Sequence, residues 1–503
     1  MSILRNSLTN FSGGVLPALV LVVTVPLLVA GLGLANYGLL TLIGAITGYF
    51  SIIDINLTAG SIKFVSEYRA LGDTKRESQT IILGFFFYLA LGLLGATALF
   101  VFAGPLASTV FDIPVSQRVV ATSALQLAAL GFLMGQVQQY LNSLPQAIQR
   151  FDVSSKLETM FGVAVPVASV MVLPLGAGLL EMVEIRIVGS TLHAMALAWC
   201  CRRLFPEFRL VAPTREVTRR VMSFSGFAYL NKLASLTYAH ADKLIIASLL
   251  GMEAVTIYTV PATLINRLLG LTFRLSSVIF PAASQMAAIG DWERLRIVYL
   301  ASSRYITFVN GVIVALALLF GRELLHYWIG GDVAQRGWNV FVLIGLAMFV
   351  ESLTNLPSLV NDGLGHARTS GIFATSRAIL GLLLTWVLAR TGGIDGVAAG
   401  HLLASVLIGA AFILYAHGRT VPFSATVYLR DGLGASLLFV GVPAVLIWAL
   451  RPAGLLSFSH TLLMGSACGA LFSLIGWSMI VDKKDRTNLL RKLQQFSLRG
   501  GKL

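Results

Sequence analysis

Long apolar runs recur down the whole chain, separated by short breaks rich in charge, glycine or proline. A helix needs about 20 apolar residues to cross the hydrocarbon core of a bilayer. Fourteen runs of that kind can be drawn, near 11–33, 38–60, 80–103, 118–141, 159–180, 185–200, 223–250, 256–280, 299–320, 338–360, 372–390, 396–417, 432–450 and 461–481. The sixth is the shortest and begins around Arg186. Composition agrees with a membrane solvent. Only 12% of the 503 residues are charged, against about 25% in soluble domains. The mean hydropathy is +0.81. The expected fold is therefore an all-α integral membrane bundle of about 14 transmembrane helices.

The apolar stretch from about Val15 to Ala35, behind Arg5, resembles a secretory leader. It is long enough to span and many spans follow, so it reads as a retained first helix. Three cysteines, two of them adjacent at Cys200 and Cys201, form neither a disulfide framework nor a CxxC metal signature. A formal net charge of +14 in so apolar a chain points to asymmetric loops rather than to nucleic acid. With the N-terminus in the cytoplasm, 25 of the 37 lysines and arginines fall on the cytoplasmic side, including the cluster from Arg202 to Arg220 and the tail from Lys483 to Lys502. Six fall outside, among them Arg186 and Arg451, and six fall within spans. The positive-inside rule then expects both termini in the cytoplasm.

A faint internal repeat is present. Leu32-Gly33 before Tyr37-Gly38-Leu39 returns as Leu250-Gly251 before Ile257-Tyr258-Thr259, and Gln149-Arg150-Phe151-Asp152 precedes His366-Ala367-Arg368 by about 217 residues. Spans 1–6 (residues 1–222) and 7–12 (223–417) are expected to form two related lobes, with spans 13 and 14 and a basic tail appended as 418–503. Both halves would start on the same side, a parallel repeat of the kind some transporters use.

Ionisable groups inside spans are costly and tend to face a bundle interior or a water-filled cavity. Span two carries Thr47, Ser51, Asp54, Thr58 and Ser61 at helical spacing, with Asn56 nearby. Span seven carries Lys232, Asp242 and Lys243; span eight Arg267 and Arg274; span ten Glu351; spans nine and eleven Arg304 and Arg377 near their inner ends. The cations, Lys232, Lys243, Arg267, Arg274, Arg304 and Arg377, outnumber the acids, and all lie in the second half. Such a lining should attract an anion, and arginine forks suit phosphate. Each also has a plainer role open to it: Arg304 and Arg377 can snorkel to the interface, Asp242 can neutralise Lys243, and Asp54 can be a structural hydrogen-bond partner. The seven histidines show no metal-ligand spacing, and no P-loop, GxSxG or HExxH pattern is present. No cofactor is expected.

Several short segments are informative in their order: Leu4-Arg5-Asn6-Ser7, Tyr37-Gly38-Leu39, Gly48-Tyr49-Phe50, Asp54-Ile55-Asn56-Leu57, Lys63 to Tyr68, Ala147 to Asp152, and Asp242 to Ile246 followed by Ile257-Tyr258. Together they resemble the polysaccharide transporter family, which includes the Wzx O-antigen and exopolysaccharide flippases and belongs to the superfamily of the multidrug-extruding MATE transporters and the lipid II flippases. The resemblance implies a V-shaped bundle of two six-helix lobes with a cavity open alternately to either face. Its substrate would be an undecaprenyl-pyrophosphate-linked oligosaccharide, flipped across a bacterial inner membrane. The resemblance makes Asp54, Asn56, Asp242 and Glu351 candidates for coupling to H+ or Na+. Membrane lipids, a polysaccharide polymerase and a chain-length regulator are the partners it implies. Two alternatives remain: a MATE-like exporter, which would want an acidic cavity, and a polymerase or glycosyltransferase, which would want a larger external loop.

Overall fold

The computed structural model describes the backbone of residues 3–50, 57–276, 279–452, 454–483 and 485–487; side chains at 3–15, 18, 50, 224–239, 271–275, 280–282 and 288 are outside that description. Among the described residues there is no strand. The helices are α1 (Ile3–Phe50), α2 (Leu57–Ala70), α3 (Thr74–Pro105), α4 (Val115–Ala147), α5 (Phe151–Met171), α6 (Leu179–Leu204), α7 (Arg215–Leu250), α8 (Met252–Ser276), α9 (Ile279–Ala288), α10 (Trp292–Ile329), α11 (Gly331–Arg336), α12 (Trp338–Gly363) and α13 (Ala367–Arg419). Two more close the chain, α14 (Ala425–Leu450) and α15 (Phe458–Ile480), each running through a wider π turn.

Nine helices among the described residues are long and apolar enough to cross a membrane; α6, α7 and α8 are not in that set. Two of the nine, α1 and α13, each hold two apolar runs. Their breaks fall at Gly33 (φ 76°, ψ 163°) and Gly393 (φ 57°, ψ −139°). Large apolar side chains point outward on the spans, among them Leu94 (70% exposed), Leu463 (70%) and Trp448 (69%). At about 25 cal/mol per Å² such surfaces belong in lipid, not water. The chain is a multi-pass integral membrane protein.

Backbone geometry makes the internal repeat visible. Gly33 and Gly251 (φ 85°, ψ 176°) adopt nearly the same left-handed, extended-ψ conformation. A side chain would strain this conformation, which explains the shared Leu-Gly. Among the described residues the other positive-φ sites except Gly454 pair at nearly the same separation: Gly72 with Gly290, Asp112 with Gly330, Gln149 with Gly365, and Gly176 with Gly393. The local caps repeat too. Asp73 accepts a hydrogen bond from the Arg76 amide at 2.9 Å, and Asp291 accepts one from the Arg294 amide at 3.1 Å. Each satisfies an orphan N–H of a helix start.

Contacts divide the chain into two compact units, Met1–Val260 with Thr385–Val397, and Pro261–Leu384 with Ala398–Leu503. In the first, Tyr68, Tyr88 and Tyr140 are buried in a core shared by α2, α3, α4, α6 and the start of α7. The Tyr140 hydroxyl donates to the Ile81 carbonyl at 2.8 Å, so its one polar atom is satisfied. In the second, α10 is fastened to α14 and α15 along its whole length. Phe308, Ala315, Val440 and Phe472 form an apolar centre. Fully buried Glu323 pairs with Arg451 at one end, and Arg304 meets Asp482 at 2.6 Å at the other.

Candidate functional site

Within the second unit, Glu351 of α12 and Arg377 of α13 form an ion pair at 3.2 Å. Glu351 lies at the middle of α12 and begins a polar stripe that continues through Thr354 and Ser358. The Ser405 hydroxyl, from the far half of α13, donates to Glu351 Oε1 at 3.4 Å. Arg377 also lines a cavity of about 90 Å³ with Thr354, Ser358 and Ser370. A small residue permits this: a Cβ at Gly409 would stand 3.2 Å from the Thr354 methyl. The pair leaves a guanidinium at the edge of a hydroxyl-lined hollow, an arrangement suited to a phosphate or sugar oxygen.

Within the first unit, Lys243 folds back on Asp242 in α7. Its ammonium lies 3.3 Å from Asp242 Oδ1, and the same oxygen accepts from the Lys243 amide at 2.8 Å. Close by, a Cβ added at Gly48 would come within 2.6 Å of the His240 ring, so α7 meets α1 across a glycine. Gly48 lies on the stripe Tyr37, Thr41, Gly44, Gly48, which recurs at helical spacing along one face of α1.

That stripe meets a cation absent from the sequence-based set. Arg186 stands at the eighth position of α6, two turns into the helix rather than at its start. Its guanidinium reaches α1, 3.8 Å from where a Gly44 Cβ would be, near Tyr37. The side chain is nonetheless exposed. The helix starts earlier than expected because Glu181 Oε2 accepts a hydrogen bond from the Gly178 amide at 2.8 Å, a cap that closes the first turn. Gly-x-x-Glu before Met182 and Val183 was the available signal.

The other expected site residues are distributed differently. Arg304 is engaged by Asp482, and the neighbouring Tyr305 hydroxyl donates to Asp485 at 2.7 Å, so this cation fastens the end of α15. Arg267 is exposed on α8. Asp54 and Asn56, and the side chains of Lys232 and Arg274, lie outside the described residues. The structure therefore brings together Glu351 with Arg377 and Asp242 with Lys243, and adds Arg186.

The sequence model of the family described as "Polysaccharide biosynthesis protein" matches residues 3–287. The chain belongs to that family. A Shigella flexneri protein named "Putative O-antigen transporter" is 20% identical over 412 residues, 81% of this chain and 96% of the relative. Among solved structures, the chain has the fold of the lipid II flippase MurJ in an inward closed conformation, with a TM-score of 0.73, 13% identity, and coverage of 95% of this chain and 99% of MurJ. It also has the fold of an inward-facing multidrug-resistance MATE transporter of the MOP superfamily, with a TM-score of 0.71, 12% identity, and coverage of 82% and 98%.

Proposed function

We propose that this chain is a flippase that moves a lipid-linked oligosaccharide, an O-antigen or exopolysaccharide repeat unit on undecaprenyl pyrophosphate, from the cytoplasmic to the periplasmic leaflet of a bacterial inner membrane. It is a transporter and not an enzyme. Residues 1–222 and 223–417 act as the two moving lobes, with 418–503 appended and both termini cytoplasmic. The observation that carries this reading is the placement of Arg377 and Arg186. Each is an arginine inside a helix, one in each half of the repeat, and one lines a hydroxyl-rich cavity. A pyrophosphate and several sugars would each lose hydration in hydrocarbon. A polar lining headed by arginine lowers that cost while the lipid tail stays in the bilayer.

Access alternates between the two faces, driven by an ion gradient. Glu351 and Asp242 are the coupling candidates with described side chains, because each is a carboxylate already held against a cation. Protonation of either would release that cation to the substrate. Asp54 and Asn56 complete the candidate set. The relatives' names as O-antigen transporter and flippase support the same substrate class.

Gene deletion followed by analysis of lipid-linked oligosaccharides tests the reading. The expected result is accumulation of undecaprenyl-linked repeat units on the cytoplasmic leaflet with loss of surface polysaccharide. Units that reach the periplasmic leaflet but stay unpolymerised would overturn it in favour of a polymerase.

A further inference from the structure

A second cavity lies in the first unit, toward the end of α6 opposite Arg186. It holds about 650 Å³ and is lined by α3, α4, α6 and the loop after α6, including Ile82, Phe86, Leu141, Ala198, Arg202 and Leu210. Its walls come from the first four turns of α3 and the last two turns of α4 and α6, so it opens at one end of these helices. Phe86 is 58% exposed, which places the groove on a surface that faces lipid.

The loop that closes it is pinned. The Arg209 amide donates to Ser78 Oγ at 3.2 Å, and Gln79 Nε2 donates to the Ala212 carbonyl at 2.9 Å. Arg69 donates to the Leu204 carbonyl at 3.0 Å, with its guanidinium 4.9 Å over the Phe205 ring. Despite this fixed backbone, Leu210 is left 86% exposed at the groove, a side chain that needs an apolar neighbour. Charge marks the mouth. Arg202 lines it, Arg209 is exposed on the loop, and Arg203 sits 3.9 Å over the exposed Trp199 ring. A tryptophan capped by arginine marks the headgroup level of a bilayer. Apolar depth below a basic rim at that level is complementary to an anionic lipid.

We infer that this groove binds one anionic glycerophospholipid of the surrounding leaflet, with an acyl chain against Leu141 and Ala198 and its phosphate at Arg202. The inference stands without the flippase reading. The test is native mass spectrometry of the full chain in mild detergent with equal amounts of phosphatidylglycerol and phosphatidylcholine of matched chains. The expected result is a 1:1 phosphatidylglycerol adduct retained at least tenfold over phosphatidylcholine. Arg202→Gln with Arg209→Gln should abolish the preference, and Ala198→Trp, which fills the groove, should remove the adduct itself. Equal retention of both lipids, or an adduct that survives both variants, would overturn the inference. So would displacement of phosphatidylglycerol by equimolar polyprenyl phosphate, since the groove would then serve the transported lipid.

Discussion

Arg377 and Glu351 show how an ion pair can be both structural and functional at once. Glu351 is buried, so removing its partner strands a carboxylate at a cost of about 3–5 kcal/mol. Arg377→Ala should therefore lower the thermal midpoint as well as transport. Glu351→Gln with Arg377→Gln removes both charges and should recover most of the stability without recovering transport. Thermal unfolding in detergent beside a flipping assay separates the two effects; equal destabilisation of single and double variants would deny the pair. Arg186 is a cleaner probe of substrate binding because its side chain is exposed. Arg186→Ala should reduce transport at least tenfold at an unchanged membrane level, and Arg186→Lys should restore only part of it, because an ammonium lacks the guanidinium fork. The spacing of polar residues picked out Glu351, Arg377, Asp242 and Lys243, since each sits on a helix whose face the sequence spells out. Arg186 was hidden by its neighbours: Glu181 and Glu184 break the apolar run that should announce a span.

Helix ends and breaks carry the next level of information. At Gly33 and Gly251 nothing lies within 4 Å of an added Cβ, so a substitution there is felt by the backbone alone. Gly33→Ala and Gly251→Ala should each destabilise by about 1–3 kcal/mol, the cost of holding a side chain at positive φ with an extended ψ. Similar losses at both positions, read as thermal midpoints, would follow from their shared geometry. The fastening of α14 and α15 is testable in the same way. Arg451→Met leaves Glu323 buried and unpaired, so backbone amides of α15 should exchange faster while those of α4, in the other unit, stay unchanged. The start of α6 illustrates the limit of reading elements from hydropathy. Its boundary was fixed by a carboxylate-to-amide cap, a signal of two residues in an apolar run interrupted by Glu181, Glu184 and Arg186.

For the molecule as a whole, the charge asymmetry gives a topology that labelling can check. Single cysteines placed at Arg150 and at Gly454, in a background without native cysteines, should react with a membrane-impermeant thiol reagent from opposite sides in inside-out vesicles and whole cells. Reaction of both from one side would sink the proposed orientation. The sequence by itself determined that the chain lives in a membrane, that it is built of helices, where most of them break and that its two halves repeat. Those properties follow from local composition: an apolar run needs lipid, and a Leu-Gly step with left-handed glycine recurs wherever the same turn recurs. Only the tertiary structure decided which charges are paired. Arg304 finds Asp482, Arg377 finds Glu351 and Arg451 finds Glu323 across distances in the chain that helical periodicity does not span. A charge in low dielectric is defined by what stands opposite it, and that neighbour is chosen by packing.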